Sequence, residues 1–181
     1  MIASSSTRYI IALCLAAGLA LAGCQQGPEG MPKADAVAVL SPLGDSPVRG
    51  AAAFAKVPEG VRVTATLSNL APGLHGIHIH EFGDCRTLDG ASAGGHFNPR
   101  NQIHGGPDSE QRHAGDLGNV LADEKGNARM DIVVDTISLS GDESIIGRSV
   151  VISAGQDDFR TQPSGNTGAR LACGVIGYAQ K

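Results

Sequence analysis

The chain has 181 residues, 18 acidic and 14 basic, for a net charge of −4 without a basic run, which argues against nucleic acid as a partner. It contains no tryptophan and only 3% aromatic residues, so its core must be built from Val, Ile, Leu and Ala. Its 25 glycines and four cysteines leave the remaining questions to spacing and order along the chain.

The N-terminal end reads as a processing segment, residues 1–23. Arg8 supplies a short positive region, and Ile10 to Leu21 is an uncharged apolar run too short to span a bilayer comfortably. It ends in Leu21-Ala22-Gly23-Cys24, which resembles the lipobox of bacterial lipoproteins. Cleavage before Cys24 would leave that thiol for acylation, and multiple acyl chains anchor stably where one does not. The competing reading is an ordinary secretion signal with a chance cysteine. Residues 24–34 hold Gly, Pro and polar side chains and read as a lipid-bearing tether, and 35–181 as one domain. With Cys14 in the leader and Cys24 at the lipid position, Cys85 and Cys173 remain in an exported domain. They form either a disulfide or two free thiols, and an oxidising compartment disfavours the second.

Along the domain, Val37 to Leu40 reads as a first strand. Val48 to Phe54 and Val61 to Leu67 alternate with period two, separated by the turn Pro58-Glu59-Gly60 and closed by Ala71-Pro72-Gly73. Leu74 to His80 continues the series. Regularity then stops from Glu81 to Gly118, and a structureless stretch of that length inside a domain is usually functional. Strands resume at Val120-Leu121, at Ala128 to Ile132, at Ile137 to Leu139 as a short edge, and at Ser149 to Ser153. A second polar loop, Ala154 to Gly168, precedes a last strand from Leu171 to Tyr178. No segment reads as a helix. The expected fold is all-β: a Greek-key sandwich or flattened barrel of about eight antiparallel strands with a long metal-binding loop.

All six histidines fall between positions 75 and 113. His78 and His80 lie two apart on a predicted strand, which places both on one face and Ile77 and Ile79 on the other. The following loop supplies His96, His104, His113 and Asp116, and three imidazoles with one carboxylate make a closed set suited to tetrahedral zinc. The bland alternative is a group of exposed loop histidines.

The motifs occur in a fixed order. Gly73-Leu74-His75-Gly76-Ile77-His78-Ile79-His80 is followed by Gly83-Asp84-Cys85, Gly94-Gly95-His96-Phe97-Asn98-Pro99, His104-Gly105-Gly106-Pro107, His113-Ala114-Gly115-Asp116-Leu117-Gly118-Asn119 and Gly168-Ala169-Arg170-Leu171-Ala172-Cys173-Gly174. Along nearly the whole domain this resembles the copper/zinc superoxide dismutase family, in its bacterial exported form. The resemblance implies one copper and one zinc per chain. His78, His80 and His96 would bind copper, with His96 bridging to zinc. His104, His113 and Asp116 would complete the zinc site, and Asp157 would orient histidines of both. It further implies a Cys85–Cys173 disulfide, Arg170 as the residue that attracts and orients the superoxide anion, and a structural role for His75. Members of the family are often dimers, so a homodimer is compatible with the resemblance.

One position departs from the family pattern. The stretch Gly147-Arg148-Ser149-Val150-Val151-Ile152-Ser153-Ala154-Gly155-Gln156-Asp157-Asp158 aligns without a gap, but Ser153 stands where the family places its fourth copper histidine. A serine hydroxyl is a poor copper ligand beside imidazole. The sequence therefore implies a dismutase of the cell envelope, periplasm-facing and held to the membrane through lipid alone, in which copper chemistry is impaired. The alternative is a zinc-stabilised member of the same fold that buffers copper or is not catalytic.

Overall fold

The computed structural model describes residues 33–180. The expected leader, Cys24 and most of the tether lie outside the described residues. Nine strands form: β1 (Ala36–Pro42), β2 (Arg49–Val57), β3 (Gly60–Ser68), β4 (Gly73–His80), β5 (Asp116–Ala122), β6 (Ala128–Val134), β7 (Ser149–Ser153), β8 (Arg170–Val175) and the two-residue β9 (Gly177–Tyr178). The described residues contain no α-helix, only a 3-10 turn at Ala91–Ala93.

Strand order is β2-β3-β6-β5-β4-β7-β8-β1-β9, and β1 also pairs with β2, so the first eight strands close into an antiparallel barrel. The jumps from β3 to β6 and from β4 to β7 make it a Greek key. The β2–β3 hairpin shows how local chemistry sets register. Val57 pairs with Gly60 across Pro58-Glu59, and a Cβ at Gly60 would lie 2.3 Å from the Val134 carbonyl oxygen. Alternation then sends Val61, Val63, Ala65 and Leu67 inward. Phe54, Leu40, Ile77, Ile79, Leu117 and Ile152 are among the largest fully buried side chains, and Phe54 and Phe97 are the aromatics of an otherwise aliphatic core.

Three sequence expectations need correction. Ile137 to Leu139 is not a strand. Both residues plug the core, while Ser138 makes only a local bridge with Ser144 and hydrogen bonds to Glu143 and Ile145. The last strand is split at Ile176, whose N–H donates to the Arg148 carbonyl and whose carbonyl accepts from Gly147 N–H instead of continuing the ladder. The irregular stretch ends at residue 115, so Asp116 lies on β5.

Candidate metal centre

Strand β4 carries core and site on opposite faces. Ile77 and Ile79 enter the barrel, whereas His78 and His80 point outward and are nonetheless almost fully buried. The two long loops cover them. At the end of β4, Ile79 N–H donates to Gly115 O (2.9 Å), Phe97 N–H donates to Ile79 O (2.8 Å), and Gly115 N–H donates to Phe97 O (2.9 Å). The approach is close enough that a Cβ at Gly115 would sit 2.2 Å from the Ile79 carbonyl oxygen. This seam brings the middle and the C-terminal end of the 81–115 loop against β4 and delivers His96, His113 and Asp116 to the strand histidines.

The donor atoms of His96, His104, His113 and Asp116 all lie within 4.8 Å of one another. Among the described residues, this is the one cluster of three or more such groups that closes so tightly. Asp116 is its centre. Its Oδ1 lies 2.8 Å from His96 Nδ1 and 3.2 Å from His113 Nδ1, and its Oδ2 lies 3.1 Å from His104 Nδ1. Oδ2 also accepts from the N–H groups of His113 (2.9 Å) and Gly105 (3.1 Å). Burial alone would raise the Asp116 pKa. The ring nitrogens of His104, His113 and His96 and the Gly105 amide outweigh it and hold the carboxyl well below the carboxylate range.

His78 stacks on His96 at 3.9 Å between ring centroids, and His80 meets His96 edge-on at 5.1 Å. Each ring has one nitrogen committed. His78 Nε2–H donates to Asp157 Oδ2 (2.7 Å), His80 Nδ1–H to Gly94 O (3.0 Å), and His96 Nδ1 faces Asp116. The opposite nitrogen of each is left free. The buried Nδ1 of His78 has no partner, and the buried Nδ1 atoms of His104 and His113 face only Asp116, at 3.1 and 3.2 Å and without hydrogen-bond geometry. Orphaned nitrogens that deep inside a protein are rare and costly, and a bound cation accounts for them. Asp157, fully buried, ties the two halves together, since its other oxygen takes His104 Nε2 at 2.9 Å.

Beside these rings opens a cavity of about 350 Å³, whose lining includes His80, His96, Ser153, Thr167 and Arg170. Ser153 is 3% exposed, at the end of β7 opposite Arg170. Arg170 Nη1 and Nη2 donate to the carbonyls of Gly90 and Gly94, at the two ends of the 3-10 turn. The Gly94 carbonyl thus holds His80 and Arg170 at once. Cys85 and Cys173 are joined in a disulfide, Cα to Cα 5.7 Å, which fastens this loop to β8. His75 stands apart, with one ring nitrogen 3.0 Å from the Ser153 carbonyl and the other 2.8 Å from that of Ala71.

Two residues escaped sequence reasoning. The Asn119 side chain accepts from Asp157 N–H (2.7 Å) and donates to Asp157 O (2.9 Å), pinning that loop residue to β5. Gly90 combines φ +70° with space for one hydrogen only, since a Cβ would lie 2.7 Å from Leu43 Cδ1 and 3.1 Å from Arg170 Cδ. Both act through the main chain, and the sole signal was the setting of Asn119 in a recognisable motif.

The metal-free centre titrates in opposing directions. Burial works against protonation of His104, but Asp116 and Asp157 prevail and lift its pKa to about 9. Burial, reinforced by His96, lowers His80 to about 2, and burial lowers His96 to about 4 despite Asp116. The His104 proton stabilises the folded chain fully below the unfolded value of 6.5, and this is lost as pH rises through 9. Below 6.5 the unfolded chain takes up protons that folded His80 and His96 refuse, so stability falls again toward pH 4. The depressed pKa values of Asp116 and Asp157 remove further stability as pH drops past the usual carboxylate range. The metal-free protein is expected to be most stable near pH 6.5, with slopes on the order of 1.4 kcal/mol per pH unit for each unmatched proton. Urea midpoints between pH 4 and 10 check this, and a steady rise from pH 6.5 to 9 would refute it.

Fold and site together define a β-barrel protein whose cluster of metal-donor side chains lies outside the barrel, beside a cavity lined in part by Arg170. Residues 48–176 match the family model described as copper/zinc superoxide dismutase. The chain is 46% identical over 154 residues to "Superoxide dismutase [Cu-Zn] 3" of Arabidopsis thaliana, an alignment covering 81% of this chain and 93% of that protein. It is similar in structure to the clock protein EA4, with a TM-score of 0.73 and 42% identity, covering 84% of this chain and all of the other. The chain belongs to the copper/zinc superoxide dismutase family, whose members bind copper and zinc.

Proposed function

We propose that the protein dismutates superoxide to oxygen and hydrogen peroxide in the bacterial envelope, at a copper site weakened by Ser153. The observation that carries this reading is the convergence of four metal donors against the two β4 histidines, beside a cavity containing Arg170. His96, His104, His113 and Asp116 would hold zinc, the three Nδ1 atoms and the carboxylate being turned toward one another. His78, His80 and His96 would hold copper, since His78 Nδ1, His80 Nε2 and His96 Nε2 are the ring nitrogens not committed to a protein partner. Copper bound there would supply the one-electron redox couple that dismutation of superoxide to oxygen and peroxide needs.

The chain's own residues do the rest. Arg170, locked by two carbonyls, presents fixed positive charge to the cavity and draws the anion in. Asp157 fixes the tautomers of His78 and His104 and raises their strength as ligands. Gly94 O directs His80 Nε2 toward the cavity side. Ser153 places a hydroxyl in the cavity wall where the family's fourth copper imidazole belongs, which lowers copper affinity and shifts the potential. Secretion with lipid attached at Cys24 would place this chemistry outside the cytoplasm, where superoxide arrives from the surroundings.

The test is the dismutation rate of the zinc- and copper-loaded protein beside Ser153→His. The natural chain is expected to exceed free copper at equal concentration. The variant is expected to gain at least about tenfold in copper affinity, the scale on which even outer partners of metal ligands act, and to turn over faster. A natural chain no faster than free copper overturns the dismutase reading. If Ser153→His alone is fast, the natural protein is a reversible copper binder on the dismutase scaffold, the second reading that Ser153 favours.

A further inference from the structure

We propose that Gln162 is a positioning residue for His104, holding that residue's main chain from the opposite loop through its side-chain amide. The inference rests on the reading of His104 as a zinc ligand. Gln162 lies 58 residues further along the chain, in the loop between β7 and β8. Its Oε1 accepts from His104 N–H (2.9 Å), and its Nε2 donates to His104 O (3.0 Å) and to Arg160 O (3.3 Å). The acceptor and both amide hydrogens are therefore used, and reversing the amide would set donor against donor and acceptor against acceptor.

His104 needs such a clamp because of its neighbours. Gly105 and Gly106 follow it directly and leave the chain there little stiffness of its own. A metal-ligand distance, by contrast, tolerates deviations of only about 0.2 Å. The loop therefore holds His104 at two levels. Asp157 takes the ring at Nε2, and Gln162 takes the peptide groups on either side of the Cα.

The loop is itself fixed where Gln162 leaves it. Gly165 N–H donates to Thr161 O (2.7 Å), Asp158 N–H donates to Gly165 O (3.0 Å), and the Asp158 carboxylate accepts from the N–H groups of Arg160 and Thr161. The segment also seats directly on the ring contact. A Cβ at Gly165 would lie 1.9 Å from Asp157 Oδ1 and 2.8 Å from His104 Nε2. A rigid segment that touches the ring from one side and grips the main chain from the other sets where Nδ1 points.

The experiment uses the full chain, Gln162→Ala and Gln162→Glu. Zinc affinity is read by competition with a chromogenic chelator, and donor geometry by the visible absorption of cobalt(II) bound in place of zinc. Gln162→Ala is expected to lose about tenfold in zinc affinity and to change the cobalt spectrum, with a larger loss of stability in the zinc-bound than in the metal-free protein. Gln162→Glu keeps an acceptor for His104 N–H but sets a carboxylate oxygen against the His104 carbonyl, and is expected to bind zinc no better than the alanine variant. Affinity within about twofold of the natural chain in both variants, with an unaltered cobalt spectrum, overturns the inference while leaving the zinc site standing. Equal stability losses in metal-free and zinc-bound protein would mark Gln162 as a loop fastener only, and overturn it too. A natural chain that binds neither zinc nor cobalt fails one step earlier, at the zinc reading, and takes the inference with it.

Discussion

Replacing Asp116 with asparagine is expected to abolish tight zinc binding and to destabilise even the metal-free chain, by about 3–5 kcal/mol, the cost of breaking a buried charge network from one side. Three ring nitrogens and two backbone N–H groups converge on this carboxylate, which is 2% exposed. An asparagine would offer one oxygen to these donors and turn an NH₂ group toward the others. The raised His104 pKa would fall at the same time, because one of the two carboxylates that hold its proton would be gone. Urea unfolding of the metal-free variant and zinc competition both report on this. If stability drops by less than about 1 kcal/mol, Asp116 is not the electrostatic centre described, because an unsatisfied buried group alone costs more than that.

The second large effect belongs to the disulfide. Cys85 and Cys173 are 88 residues apart, and closing a loop of that size removes enough entropy from the unfolded chain to stabilise the fold by about 4–5 kcal/mol in the chain-entropy account. Cys85→Ser is expected to lose most of this in the denaturant midpoint. The loss should reach the cavity as well. Both carbonyls that orient Arg170, those of Gly90 and Gly94, lie in the loop that the disulfide holds down. A lower superoxide capture rate is therefore expected in the variant at temperatures where it is still folded. Unchanged stability would sink the first expectation. An unchanged rate in the folded variant would show that the Ser92 contacts with Thr87 and Asp84 hold the loop by themselves.

Much of this arrangement was legible because the barrel strands alternate. Val61, Val63, Ala65 and Leu67 announce their inward face, and His78 with His80 announces the outward one. The ligand residues were legible through spacing and family resemblance together. What stayed hidden depends on main-chain geometry. The start of β5 at Asp116 was invisible because Asp-Leu-Gly-Asn does not alternate and Gly118 takes φ +94°. The break at Ile176 follows from backbone hydrogen bonds to Gly147 and Arg148, not from any turn residue. Asn119 and Gln162 bind peptide groups of Asp157 and His104, and amides directed at backbone leave no pattern of charge or hydropathy.

The division of labour along β4 recurs on β7, where Val150 and Ile152 belong to the core while Ser153 faces the cavity. A change at the outward end of such a strand leaves the inward half of its packing intact. The barrel can therefore stay folded while the chemistry of its cavity wall changes.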